Sequence, residues 1–176
     1  MLGLKCFSQT KFEREHRIKK SQFPSINMDS LPLENTKYIR YYREVDTSKI
    51  TYTLKFKKGK MQYHIDYNEK GALQNTGFMV KEVDIPTDTY ARIHSELNTN
   101  FQKTKIKYIQ QCYLGSSENV LKNTFQNLIL PSNTYKVMVR GNKTEKREDY
   151  IAIFDAEGNL EHMARALPPN YDHVLY

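Results

Sequence analysis

One turn pattern occurs twice in the chain, and it constrains the fold more than any other feature. Residues 63–73 read YHIDYNEKGAL and residues 150–160 read YIAIFDAEGNL, and the two runs align without a gap. In each run an Asn or Asp (Asn68, Asp155) comes three residues before a glycine. Asn and Asp side chains bond their own backbone at the start of a turn, and glycine readily adopts the left-handed conformation. Each run therefore predicts a β-hairpin, and their common order predicts an internal repeat.

The segments that lead into these turns alternate between apolar and polar side chains. Between residues 50 and 57 the apolar side chains fall on alternate positions: Ile50, Tyr52, Leu54 and Phe56. Residues 61–67 alternate in the same way, and residues 134–140 form the parallel run in the second copy. A period of two is typical of an antiparallel strand with one buried face and one face in solvent. Each copy is therefore predicted to be an antiparallel meander.

Helices are predicted in front of both meanders. Thr87 is a suitable helix-capping residue, and four apolar residues then recur on one helical stripe: Tyr90, Ile93, Leu97 and Phe101. The first copy offers a shorter candidate at residues 21–31. Residues 116–130 have no counterpart in the first copy and predict an inserted helix or ordered loop. Residues 10–18 predict an extra leading strand.

Together these elements predict an α+β fold of two tandem helix-plus-antiparallel-meander repeats, with the helices packed on one face of the sheets. The repeats span approximately residues 20–83 and 84–166 of a single domain, residues 10–176. A chain of 176 residues is long enough to bury such a core without disulfide bonds.

The basic excess of the chain is concentrated in its first third. There are 27 Lys and Arg against 20 Asp and Glu, a formal net charge of +7, and residues 1–58 carry all of this excess. A concentrated positive region attracts phosphates, acidic lipids or acidic proteins over about 8–10 Å in physiological salt. Alternating lysines on a strand are also typical of an ordinary solvated face, so the charge alone leaves both interpretations open.

The first nine residues leave the cellular compartment open. Residues 1–9 combine a short apolar start with Cys6-Phe7-Ser8, the small-x-small pattern that signal peptidase recognises. They are interpreted either as the remnant of a truncated signal peptide or as a frayed cytosolic terminus. Cys6 and Cys112 are the two cysteines, and this usage fits either compartment. Cys112 is predicted to be a small core residue.

Motifs for catalysis, cofactors and metals are missing from the sequence. The five histidines are scattered, no pair has helical i, i+4 spacing, and no cysteine lies beside one. The Gly-x-Ser-x-Gly elbow of hydrolases and the glycine run that cradles phosphates are both absent. His64 and Asp66 are interpreted as polar side chains of a solvated strand face. The sequence therefore predicts a non-enzymatic protein with no catalytic residues, cofactor or metal.

The densest cluster of aromatic and basic side chains is the candidate binding site. It consists of Tyr38, Arg40, Tyr42 and Arg43. Tyrosine supplies a large, rigid contact area with a polar tip, which suits binding surfaces and half-exposed sheets alike. Bases of single-stranded nucleic acid also stack on aromatic rings while their phosphates meet Arg. The interpretations are therefore tyrosines that cover the sheet, a protein-binding patch, or a nucleic-acid site, for which no RNA-binding motif is present.

The order of elements and the closing motif resemble a known family. A helix, antiparallel strands and aromatic-x-x-x-aromatic-[Asn/Asp]-x-x-Gly-x-Leu resemble the PepSY-like proteins with a beta-lactamase-inhibitor-like fold, which are small exported proteins of Bacteroidota. Residues 7–13, FSQTKFE, also resemble the start of mature flavobacterial secreted proteins. The resemblance covers roughly residues 10–166. It implies a periplasmic or secreted, non-enzymatic binding or inhibitor-like module.

The leading hypothesis is therefore an exported module that recognises a protein or an acidic envelope polymer through an exposed sheet face. The alternative is a cytoplasmic protein that binds single-stranded nucleic acid through the cluster at residues 38–43. A membrane span is not expected, because no run approaches the ~18 consecutive apolar residues that a spanning helix needs.

Overall fold

A computed structural model describes residues 14–46, 49–143 and 146–166, without the side chains of Arg14 and Asp46. Within these residues, nine antiparallel strands form one sheet in the order β1 to β9. The strands are β1 (Arg14–Ile18), β2 (Thr36–Asp46), β3 (Lys49–Lys58), β4 (Met61–Tyr67), β5 (Leu73–Val80), β6 (Thr104–Leu114), β7 (Thr134–Gly141), β8 (Glu148–Phe154) and β9 (Leu160–Arg165). The helices are α1 (Thr87–Asn100) and the short α2 (Val120–Phe125), and 3₁₀ turns occur at Lys20–Gln22, Met28–Ser30 and Glu82–Asp84.

The predicted α+β fold class is wrong, because the chain is mainly β. Two separate helix-plus-meander units do not form: β5 pairs with β6, so all nine described strands belong to one continuous sheet. The described helices are few and short, and the helix predicted at residues 21–31 is absent. The local sequence explains this. Phe23 precedes Pro24 and is extended, with φ −85° and ψ 144°, the conformation that a following proline favours.

Other predicted elements are confirmed with changed boundaries. Helix α1 starts at Thr87, but its cap position is Pro86, and Ile93 and Leu97 face the core as predicted. The segment at 116–130 contains α2 and an ordered loop. The leading strand is seen from Arg14 onward, while residues 10–13 and the leader at 1–9 lie outside the described residues.

One face of the sheet, here called the packed face, holds the hydrophobic core. Its fully buried side chains come from strands of both halves of the sheet: Leu54, Ile65, Tyr135, Val137, Val139 and Phe154. Three elements cover this face. Phe23 contacts the rings of tyrosines on β2, β3 and β4, Phe125 of α2 stacks on Phe56, and Phe101 at the end of α1 contacts Tyr150.

The opposite face, here called the open face, carries the alternate side chains of each strand, among them Thr53, His64, Cys112 and Lys136. None of the helices in the described part of the chain is long and apolar enough to cross a membrane.

Both copies of the repeated motif form the same turn. The amide of Asn68 bonds the carbonyl of Ala72, and the amide of Asp155 bonds the carbonyl of Asn159. Each turn then places its glycine at positive φ, 75° at Gly71 and 91° at Gly158. A Cβ atom at either glycine would lie 2.5 Å from a backbone oxygen of the covering segment. The glycines are thus required by backbone conformation and by close packing.

Candidate functional site

The four predicted binding residues do not form one surface. Arg40 and Tyr42 lie on the open face, paired with Lys55 and Thr53 of β3. Arg43 lies on the packed-face side, where it pairs with Tyr52. Tyr38 sits in a β-bulge with φ 57° and is 65% exposed.

The side chain of Tyr42 is buried and packs within the sheet, so it is not accessible to a partner. Only 8% of it is exposed, and the Nζ atom of Lys55 lies 4.5 Å from its ring centre. The same ammonium is 2.6 Å from a carboxylate oxygen of Glu15 on β1. Cation–π and ion-pair contacts together hold β1, β2 and β3 in register on the open face.

One row of partly or fully exposed side chains on the open face crosses the strands from β2 to β9, and other exposed side chains of this face, such as Leu114 and Arg140, lie outside it. The strand register places its members side by side: Lys37, Lys57, Gln62, Met79, Gln110, Lys136, Ile153 and His162. All of these side chains are partly or fully exposed. Many neighbours on the same face are buried, among them Thr53, His64, Cys112, Ile151 and Ala164. We call this set the open row.

The open row is positively charged. It contains Lys37, Lys57 and Lys136, and none of its side chains is acidic. Lys37 lies directly opposite Lys57, and like charges in such a pair destabilise a sheet by roughly 0.2–1 kcal/mol. Within residues 14–46, 49–143 and 146–166, neither lysine has an ion-pair partner. No ion pair among the described residues offsets this repulsion.

Acidic groups on the open face lie outside the row and already have partners. Asp66 accepts hydrogen bonds from Thr53 at 2.8 Å and Asn75 at 3.3 Å. Asp149 forms ion pairs with Lys107 and Arg140, at 2.7 and 2.8 Å. Asp66 nevertheless acts on the row, because its charge and that of Glu44 raise the pKa of Lys136.

Lys136 occupies the middle of the open row and is half-buried. Burial lowers its pKa, but neighbouring groups, Tyr108 and Glu44 first among them, raise it above its ordinary value. Lys136 is therefore a stable cation at neutral pH.

His64 and Cys112 lie beside each other on the open face, and the sequence interpretation of His64 as solvated is wrong. Only 7% of His64 is exposed, and its Nε2 atom is 4.0 Å from the Cys112 sulfur. The ring lies against Gly77, where an added Cβ atom would be 2.7 Å from it. Burial lowers the pKa of His64 and raises that of Cys112 to about 12, so both are neutral at physiological pH.

This pair lacks the chemistry of a catalytic dyad, because a nucleophilic cysteine needs a lowered pKa. The burial predicted for Cys112 is confirmed, although the side chain lies on the open face. Among the described residues, no group of histidine, cysteine and acidic side chains could hold a metal ion.

Asp155 and Glu157, near His162, form a turn rather than a ligand set. Asp155 accepts hydrogen bonds from the backbone amides of Glu157 and Asn159, at 2.9 and 2.8 Å. Burial raises the pKa of Asp155, but these hydrogen bonds outweigh it and lower the pKa below its ordinary value. The carboxylate thus stabilises the turn.

Sequence reasoning missed most of the open row. Gln62, Met79, Gln110, Lys136 and Ile153 stand far apart in the chain, and strand register alone brings them together. The available signal was the polar phase of each alternating strand. That phase identifies the face, but it does not identify the accessible row within the face.

No protein-family model and no curated protein matches the chain. Two solved structures are similar to it, each with a TM-score of 0.48. One is a BLIP-like protein from Bacteroides fragilis NCTC 9343, with 12% identity over 77% of this chain and 79% of that chain. The other is a candidate periplasmic protein from Bacteroides eggerthii DSM 20697, with 8% identity over 74% of this chain and 78% of that chain. The BLIP-like neighbour matches the beta-lactamase-inhibitor-like part of the resemblance drawn from the sequence, and the PepSY-like part stays a prediction.

Proposed function

We propose that this protein is an exported, non-enzymatic binding module that docks the open row of its sheet on an acidic surface of a partner protein. The observation that carries the proposal is a row of partly or fully exposed side chains, with three lysines and no acid, on one face of the sheet. Complementary charge steers association and selects the partner.

The mixture of side chains in the row favours a protein partner over a uniformly charged polymer. Met79 and Ile153 add apolar contact area between the lysines, and the amides of Gln62 and Gln110 can donate and accept hydrogen bonds. Protein interfaces typically combine apolar contacts with a small number of polar ones. The uncharged side chains Gln62, Met79 and Gln110 between the lysines therefore suit a mixed protein surface.

The nucleic-acid alternative has less support, because only one of the two tyrosines in its cluster, Tyr38, is exposed. Tyr42 is buried beneath Lys55, and Arg43 lies on the other side of the sheet from Arg40. Single-stranded DNA is therefore best used as a competing ligand in the binding test.

Fluorescence anisotropy with a labelled, end-capped oligoglutamate peptide measures the proposed contact. Reversing two charges of the row, Lys37→Glu with Lys57→Glu, is expected to weaken binding by about tenfold or more, because attraction becomes repulsion. The matched control reverses Lys70 and Lys122, two exposed lysines in a turn and on α2, outside the open row. It should bind oligoglutamate within about twofold of the wild type.

Two other ligands distinguish the alternatives. If alginate, an acidic polysaccharide, binds more tightly than oligoglutamate, the partner is an acidic polymer rather than a protein. If oligothymidylate binds more tightly, the partner is a nucleic acid. The proposal is contradicted if the wild type does not bind oligoglutamate, or if both double variants bind it equally.

A further inference from the structure

We infer that Tyr38 is an anchor residue of the docking surface, and that its exposed ring contacts an apolar side chain flanked by acidic residues on the partner protein. This inference rests on the proposed function and names a second feature of the partner surface, an apolar group among the acids. Tyr38 directly follows Lys37, the first member of the open row.

The backbone of Tyr38 has a conformation that tyrosine rarely adopts. Its φ is 57°, in the left-handed region, where the Cβ atom of an L-residue lies too close to the following carbonyl oxygen. For a bulky residue such a φ is an outlier. Residues held in this region cluster at binding and catalytic sites, where the strain is kept because the side chain has a role.

The other residues at positive φ in the described parts of the chain are of types that tolerate it. They are Asn35, Asn119, Asn127, Gly59, Gly71 and Gly158. Asn forms local hydrogen bonds in this conformation, and Gly has no Cβ atom. Either type would form the backbone of the bulge with less strain than tyrosine. We therefore attribute the tyrosine at position 38 to its side chain and not to the bulge.

The β-bulge presents two apolar side chains to solvent. The register of β2 and β3 shifts here, so that Tyr38 and Ile39 together lie opposite Phe56 of β3. Tyr38 is 65% exposed and Ile39 is 39% exposed, whereas Phe56 is buried. Bulges commonly redirect a side chain beside a functional site. This one produces a small exposed apolar patch on an otherwise basic part of β2.

Tyr38 differs from the other two tyrosines of β2, which have contacts within the fold. Tyr41 contacts the ring of Phe23, and Tyr42 lies under the ammonium of Lys55. Within residues 14–46, 49–143 and 146–166, no hydrogen bond, ring contact or ion pair involves the side chain of Tyr38. Tyrosine is enriched among the few residues that dominate the binding energy of protein interfaces.

The charges around Tyr38 determine which apolar group it can receive. Lys37 precedes it in the chain, and Lys57 of β3 lies opposite Lys37. Acidic residues on either side of an apolar side chain would be attracted by these ammonium groups. An apolar side chain with acidic neighbours therefore fits this place better than an apolar group alone.

Fluorescence anisotropy with two labelled, end-capped peptides tests the inference. One is oligoglutamate, and the other has the same number of glutamates with a leucine inserted after every second one. The wild type should bind the leucine-containing peptide about fivefold more tightly, because contact with the ring buries apolar area. Tyr38→Ala should remove this advantage and leave the affinity for oligoglutamate within about twofold. The control Val83→Ala, at another exposed apolar position, should keep the advantage.

A second variant separates binding from folding. Tyr38→Gly lacks the ring and also relieves the strain of positive φ. Its urea midpoint should equal or exceed that of the wild type, while the advantage of the leucine-containing peptide is lost. A clearly lower midpoint would show that the tyrosine stabilises the fold, and the inference would be overturned.

The outcomes separate failure of this inference from failure of the proposed function. If the wild type does not bind oligoglutamate, the proposed function itself fails. If the wild type binds both peptides equally, or if Tyr38→Ala keeps the advantage, the anchor is overturned while the docking function stands. If circular dichroism shows that Tyr38→Ala is unfolded, Tyr38→Gly decides in its place.

Discussion

The two halves of the sheet, β2–β5 and β6–β9, end in the same kind of turn but are covered by different elements. The first half is covered by a non-helical segment around Phe23, and the second by the 14-residue helix α1. At equivalent places, Gly71 approaches the backbone oxygen of Ser25 and Gly158 approaches that of Thr89. A turn can therefore keep its close contact while the covering element changes from helix to 3₁₀ turns.

The comparison teaches which part of the sequence determines which part of the fold. The turns and alternating strands determine the sheet in both halves, because their signals are local and repeat along the chain. The type of element that covers each half depends on whether the segment before the strands can form a helix. In the first half, Pro24 disfavours a helix. The division into repeats at residues 20–83 and 84–166 remains a prediction.

The largest expected difference between the halves is in how much the residues that cover them contribute to the free energy of unfolding. Leu97 of α1 is fully buried, so Leu97→Ala should lower the free energy of unfolding by about 3 kcal/mol. Phe23 is half-buried in the shorter cover, and Phe23→Ala should cost only about 1–2 kcal/mol. Urea unfolding measures both, and Val83→Ala, at an 81% exposed position, is the control with an expected change near zero. Equal losses for the two covers would contradict the comparison.

The turn glycines should respond alike in the two halves. Gly71→Ala and Gly158→Ala each combine positive φ with a 2.5 Å backbone clash, so each should lower stability by about 3 kcal/mol or slightly less. Gly59 is the matched control, because its φ is +59° but nothing lies within 4 Å of an added Cβ atom. Gly59→Ala should therefore cost only about 1–2 kcal/mol. A clear difference between Gly71→Ala and Gly158→Ala in thermal or urea unfolding would break the equivalence of the turns.

The smallest expected effect is a difference between the two turns in how their contribution to stability depends on pH. The folded pKa of Asp155 is below its ordinary value of 3.8, so its contribution to stability is present above that pH and is lost as pH falls through the folded pKa. Asp155→Asn should cost less than about 1 kcal/mol at pH 7, because the amide still accepts the turn hydrogen bonds. The difference between wild type and variant should vanish in acid.

The opposite exchange sharpens this test. Asn68→Asp should add to the first turn the acid-sensitive contribution that the second turn already has, since the amides of Lys70 and Ala72 bond the same side-chain oxygen. Unfolding measured from pH 7 to pH 3 follows both exchanges. A wild-type advantage over Asp155→Asn that grows in acid would show that the sign of the pKa shift is wrong.

Much of the fold could be predicted from sequence, because its signals lie within short segments. The turn at Asn68, the alternation on β3 and the apolar stripe of α1 each depend on fewer than about fifteen consecutive residues. The joining of β5 to β6 across α1 could not be predicted in this way. That pairing depends on the packing of the whole sheet, and so does the resulting mainly-β fold class.

The candidate site was less predictable for the same reason. The cluster at residues 38–43 is dense in sequence, but a bulge at Tyr38 and the alternation of β2 distribute its side chains over different surfaces. Lys136 and Gln110 are distant in sequence and adjacent in the sheet. Which members of the open face stay accessible depends on contacts between residues distant in sequence, and no local pattern encodes them.

The most direct test of the central claim is a map of where the acidic peptide binds. A titration of isotope-labelled protein with oligoglutamate, followed by amide chemical shifts in NMR spectra, reports every contacted residue. The account predicts shifts concentrated along the open row, at Lys57, Gln110, Lys136 and Ile153, with the cover around Phe23 unaffected. Shifts centred on Phe23 or α2, on the packed-face side, would contradict it.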